Sequence, residues 1–101
     1  MALPPALSSD ELTTALRGLH PDWHISADGK LHRSLVFPDF SAAFGCMTEI
    51  AIHAEKLNHH PEWSNTYNRV EIDLITHDVP AITQYDVDLA ARIDAAAGRA
   101  D

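Results

Sequence analysis

From Phe40 to Leu57 the chain repeats apolar residues at three- and four-residue steps: Phe40, Ala43, Phe44, Met47, Ile50, Ala51, Ala54 and Leu57. Such a stripe marks one long amphipathic helix. Asp39 or Ser41 can cap its start, and Glu49, His53 and Lys56 fall on the opposite side. Pro61 prevents its continuation past His60, because the residue before a proline is pushed out of the helical region. A helix of this length must bury its stripe, so the rest of the chain has to supply a partner layer.

The flanking segments supply one. Ser8 and Glu11 fit a capping box, with Leu7 and Leu12 as the hydrophobic staple around it. Leu12, Ala15, Leu16 and Leu19 continue at helical spacing until Gly18 and Pro21 end the helix. A hairpin follows. A loop of Ala27, Asp28 and Gly29, with Gly29 left-handed, pairs Ile25 with Leu31. It sets Trp23, Ile25, Leu31, Leu35 and Phe37 on one face, and Arg33 intrudes among them. Beyond the long helix, Trp63 to Tyr67 reads as a short strand and Asn68 as its turn. Val70, Ile72 and Leu74 then alternate with Glu71 and Asp73, the pattern of a half-buried strand. The stretch from Asp78 to Pro80 breaks it. Thr83 and Asp86 suit the first turn of a last helix, with Ile82, Tyr85, Leu89 and Ile93 on its inner side. Residues 95–101 are expected to fray.

The predicted order is αββαββα: an α+β fold in a single domain, residues 1–101. Two hairpins pair into a four-stranded antiparallel sheet, and three helices pack on one face. Residues 1–6 and 98–101 are expected to be flexible. An apolar content of 46% with 22% charged argues for a folded chain rather than disorder. A chain of 101 residues buries a modest fraction of its surface, so self-association would help it.

Charge and cysteine usage exclude several roles. With 15 acidic and 7 basic residues the net charge is −8, which disfavours contact with nucleic-acid phosphates. The single cysteine, Cys46, cannot form an internal disulfide, and a cytoplasmic location is the simplest expectation. No apolar run is long enough for a membrane span, and the start of the chain lacks the pattern of a signal peptide.

The chemistry concentrates after the long helix, in Glu55-Lys56-Leu57-Asn58-His59-His60-Pro61-Glu62-Trp63. Histidine is the side chain that most readily gives and takes a proton near neutrality. His77 closes the last strand pattern downstream. A histidine at a helix end is often only a cap, but two in a row with a third at a strand end suit acid/base work. Metal binding is the first rival. Adjacent histidines rarely aim at one ion, and neither HExxH nor a cysteine pair is present, so no metal is expected. Cys46 lies by the apolar stripe and reads as a small core residue. No nucleophile elbow or phosphate loop occurs. His53 reads as solvated, and His20, His24 and His32 carry no signal.

The spacing is Glu55, three residues, His59-His60-Pro61, five residues, Tyr67, nine residues, His77, eight residues, Asp86. This resembles the signature of the pterin-4a-carbinolamine dehydratases. The likeness extends from Trp23 through Phe37-Pro38-Asp39-Phe40, Phe44-Gly45 and Ala54-Glu55-Lys56-Leu57 to Leu89-Ala90. It implies an αββαββα domain that removes water from 4a-hydroxytetrahydrobiopterin to give quinonoid dihydropterin, with no metal or organic cofactor. It implies that His59, His60 and His77 are catalytic, and that Glu55, Pro61, Trp63 and Asp86 bind substrate, Trp63 walling the site. It further implies a homodimer or homotetramer with the long helix at the contact. Animal members of the family also partner a homeodomain transcription factor, so a non-catalytic binding or regulatory module is the alternative. A molybdopterin-related pterin protein is a third possibility. One departure stands out: many relatives carry aspartate where this chain has Asn58, which offers hydrogen bonds without a charge.

Overall fold

A capping box starts the first helix, α1 (Ser9–Arg17). The Ser8 hydroxyl accepts from the Glu11 N–H and the Glu11 carboxylate accepts from the Ser8 N–H. The computed structural model describes residues 3–98. Ser8→Ala removes the acceptor for one of the helix's unpaired N–H groups, a loss of about 1 kcal/mol. We expect the melting temperature to fall by about 5 °C, read by circular dichroism.

The strands are β1 (His24–Ile25), β2 (Leu31–Val36), β3 (Glu62–Thr66) and β4 (Arg69–Leu74). They form one antiparallel sheet in the order β1-β2-β4-β3. The predicted hairpin register holds: Ile25 pairs with Leu31, and Gly29 takes φ +81° in the three-residue loop. Ile25 itself stays exposed, because the edge strand β1 has a neighbour on one side only. In the β3–β4 turn Tyr67, rather than Asn68, takes the left-handed conformation, at φ 49°. The Asn68 amide donates to the Phe37 carbonyl at 3.0 Å, tying that turn to the end of β2.

The helices α2 (Phe40–Leu57) and α3 (Gln84–Gly98) share the inner face with α1. Leu31 and Leu35 of β2, and Val70, Ile72 and Leu74 of β4, point into the core from that face. The long helix buries a narrower stripe than its pattern suggests: Ala43, Cys46, Ile50 and Ala54. Phe40 and Phe44 are exposed with Ile52, their rings 5.7 Å apart. A helix apolar over most of its circumference cannot bury every side, and here the inward positions include the small Ala43 and Ala54. The chain's end also departs from expectation. Ala96 and Ala97 are buried, so α3 runs through Gly98, and only residues 99–101 of the expected frayed tail lie outside the described residues. Of the expected flexible start, residues 1–2 likewise lie outside them. Arg33, the misfit on β2, is buried with its Nη1 2.5 Å from Asp94 Oδ1 of α3.

Candidate active site

Asn58 sets the geometry of the histidine pair. It takes a left-handed conformation, φ 52° and ψ 42°, and its N–H donates back to the last turn of α2. Asparagine tolerates that region better than most residues, so here it closes the helix. His59 and His60 leave the turn toward different partners. His59 Nε2 lies 2.5 Å from Asp86 Oδ1, and His60 Nε2 lies 2.5 Å from Glu55 Oε1. His77, in the loop after β4, places its Nε2 2.8 Å from Glu62 Oε2.

Each of these imidazoles therefore meets its own carboxylate through Nε2. A carboxylate only accepts, so on His59 and His60 the hydrogen facing it is on Nε2, and Nδ1 remains for other work. The surroundings differ. The His59 side chain is 11% exposed against a fully buried Asp86, whereas His60 is 56% and His77 70% exposed. Asp86 is in turn held from behind. Its Oδ2 accepts from the Thr76 hydroxyl and the Thr83 N–H, both at 2.9 Å. Thr76 Oγ1 is 2.7 Å from Thr83 Oγ1. His59 is thus the best anchored of the group, oriented by a carboxylate that is itself fixed at the start of α3.

His59, His60 and His77 line one cavity of about 360 Å³, together with Asn58, Thr76 and Tyr85. That volume is at the small end of ligand sites and has room for a compact bicyclic molecule. The other expected residues stand outside the lining. Asp86 and Glu55 act from behind their histidines. Pro61 links His60 to β3. Trp63 pairs in register with Ile72, whose side chain is in the core, so the indole packs inward and does not wall the cavity. The aromatic ring that does is Tyr85, 5.8 Å from the His59 ring and tilted 53° to it. Its helical spacing with Leu89 suggested an inward side chain, but Tyr85 is exposed.

Sequence reasoning also missed Thr76 and Glu62. A threonine at a strand end and a glutamate at a strand start carry no local signal of partners so far along the chain. The Lys30 ammonium, 2.7 Å from Glu62 Oε1, holds the Glu62 carboxyl below the usual carboxylate range, mainly through their hydrogen bond, with His77 adding a smaller pull. Elsewhere, His32 pairs with Asp73 at 2.8 Å and His53 lies 3.9 Å from Glu49, both away from the cavity. No described helix is long and apolar enough to cross a membrane.

Comparison with known proteins agrees with the resemblance. Residues 5–96 match the family model described as pterin 4 alpha carbinolamine dehydratase. A protein of Burkholderia cenocepacia (strain HI2424), named "Putative pterin-4-alpha-carbinolamine dehydratase", is 50% identical over 95 residues, covering 93% of this chain and 92% of its own. A Solibacter usitatus protein of the same name is 53% identical over 91 residues, covering 90% and 94%. Among solved structures, a "transcriptional coactivator/pterin dehydratase" from Brucella melitensis superposes with a TM-score of 0.87 at 44% identity, covering 92% of this chain and 99% of that one.

Proposed function

The chain belongs to the pterin-4a-carbinolamine dehydratase family, and from that footing we propose that it dehydrates 4a-hydroxytetrahydrobiopterin by histidine acid/base catalysis. The observation that carries this reading is the cavity on which His59, His60 and His77 converge, each braced by a separate carboxylate. The reaction needs little else. The C4a–O bond breaks with its electron pair on oxygen, which takes a proton from an imidazolium and leaves as water. The N5 lone pair forms the C4a=N5 bond, and the N5 proton passes to a neutral imidazole. Histidine serves both steps because both of its forms are accessible near neutrality.

His59 and His77 exchange protons at the two faces of C4a. His60 holds the ring and takes the N5 proton. The rest of the cavity keeps the ring in place, which converts proton transfer into a nearly intramolecular event. This activity recycles the pterin cofactor of an aromatic amino-acid hydroxylase, in the cytoplasm. The exposed Phe40, Phe44 and Ile52 on α2 favour a homodimer or homotetramer assembled through that helix.

Stopped-flow dehydration of 4a-hydroxytetrahydropterin tests the proposal. The uncatalysed reaction is appreciable, so rates are read against a blank. We expect His59→Ala and His77→Ala each to slow the catalysed rate at least tenfold, on the order of one general acid or base. Wild-type rates in both variants would overturn the assigned roles. A chain that only binds a partner would not exceed the blank at all.

A further inference from the structure

His77 is the least supported of the cavity histidines. It sits in the loop after β4 and is 70% exposed, and among the described residues the Glu62 carboxylate is the partner of its side chain. Glu62 is built to hold still. It opens β3, directly after His60 and Pro61, and pairs in register with Asp73 of β4. Its second oxygen, Oε1, accepts from Lys30 at 2.7 Å. Lys30 precedes β2 on the tight β1–β2 turn, where its backbone is fixed by Ser26: the Ser26 N–H donates to the Lys30 carbonyl at 2.8 Å and the Lys30 N–H to Ser26 Oγ at 3.1 Å. Asp28 Oδ2 lies 3.6 Å from the same ammonium. The chain of contacts therefore runs from a rigid hairpin, through a lysine and a glutamate, to a ring on the cavity.

We propose that Glu62, anchored by Lys30, is a positioning residue that holds the His77 imidazole at the cavity edge in the orientation for proton transfer. This rests on the dehydratase reading above. It adds to the carboxylates behind His59 and His60 a third that completes the set, and it gives Lys30 a part in the reaction from outside the cavity. A half-exposed ion pair contributes little to folding. Glu62 and Lys30 thus act on the ring's orientation and leave the fold's stability nearly untouched. The lowered Glu62 carboxyl fits this, since the Lys30 hydrogen bond favours its charged form.

The test compares Glu62→Ala, Glu62→Gln, Lys30→Met and Lys30→Arg. Glu62→Ala should lower kcat about tenfold with KM within about twofold. Glu62→Gln still offers an acceptor oxygen and should lose about threefold or less. Lys30→Met should lose about threefold, and Lys30→Arg should recover most of that. Proton–carbon NMR of the His77 ring supplies a readout independent of turnover. Its cross-peaks should be distinct from those of free histidine in the wild type and move toward them in Glu62→Ala, with the melting temperature unchanged. A Glu62→Ala protein with wild-type kcat and unmoved His77 cross-peaks overturns the proposal. If the wild type does not dehydrate the pterin, the assigned reaction fails, and a His77 ring that stays put in Glu62→Ala would still overturn the anchoring separately.

Discussion

Asp86→Asn should slow dehydration roughly a hundredfold while leaving the fold close to intact, because it exchanges an acceptor for a donor at one buried spot. Asp86 is fully buried and accepts on both oxygens: from His59 Nε2 on one, and from the Thr76 hydroxyl and Thr83 N–H on the other. Asparagine has the same shape but only one accepting oxygen. That oxygen is needed where two donors point, at Thr76 and Thr83. The amide NH2 is then left facing His59, which can meet it only by moving its own hydrogen to Nδ1. The nitrogen that ought to take or give the substrate proton is thereby reversed. Asp86→Ala is the contrasting case. It strands the donors of Thr76, Thr83 and His59, at about 1–3 kcal/mol for each buried group left without a partner. That variant should lose stability as well as rate. Stopped-flow rates together with ring nitrogen-15 NMR of His59 separate the two. An Asp86→Asn protein within threefold of the wild-type rate, with His59 still protonated at Nε2, would sink the orienting role.

The sequence was a good guide wherever a local rule governs. The Ser8–Glu11 box, the Gly29 loop and the alternation of Val70, Ile72 and Leu74 all depend on neighbours within a few residues, and all are present. The histidines and Asp86 were legible for another reason: their separations along the chain carry the family's signature. Legibility failed where the deciding contact is distant or the pattern is degenerate. Phe40 and Phe44 share a stripe with Ala43 and Ala54, and spacing alone does not say which part of a broad apolar arc turns inward. Trp63 looked like a site wall because it follows the histidines, but strand alternation puts it on the same face as Ile72, half-buried against the core. Tyr85 went the other way. Glu62 stayed hidden because Lys30 is 32 residues away.

Arg33 belongs to the same class, and it gives the largest stability effect we expect. Its partner Asp94 is 61 residues on, close to the alanine-rich end of α3 that reads as a frayed tail. Asp94 accepts from Arg33 Nη1 at 2.5 Å, from the Trp23 indole N–H at 2.7 Å and from the His20 N–H at 2.8 Å. One carboxylate thus ties α3 to β2 and to the segment between α1 and β1. Asp94→Ala leaves an arginine whose side chain is only 5% exposed without its counter-charge. Breaking a buried pair in this way costs about 3–5 kcal/mol. At about 4–8 °C per kcal/mol for a domain of this size, the melting temperature should fall by roughly 12–40 °C. Arg33 Nε is buried with no hydrogen-bond partner among the described residues, so the pair is imperfectly satisfied even when intact. It follows that removing both charges should hurt less than removing one. The double variant Arg33→Met, Asp94→Leu should recover more than half of the loss seen in Asp94→Ala, and urea denaturation of the wild type, Arg33→Met, Asp94→Leu and the double variant forms the cycle that measures the coupling. Asp94→Ala within about 1 kcal/mol of wild type would mean that water reaches the guanidinium and that the linkage contributes little.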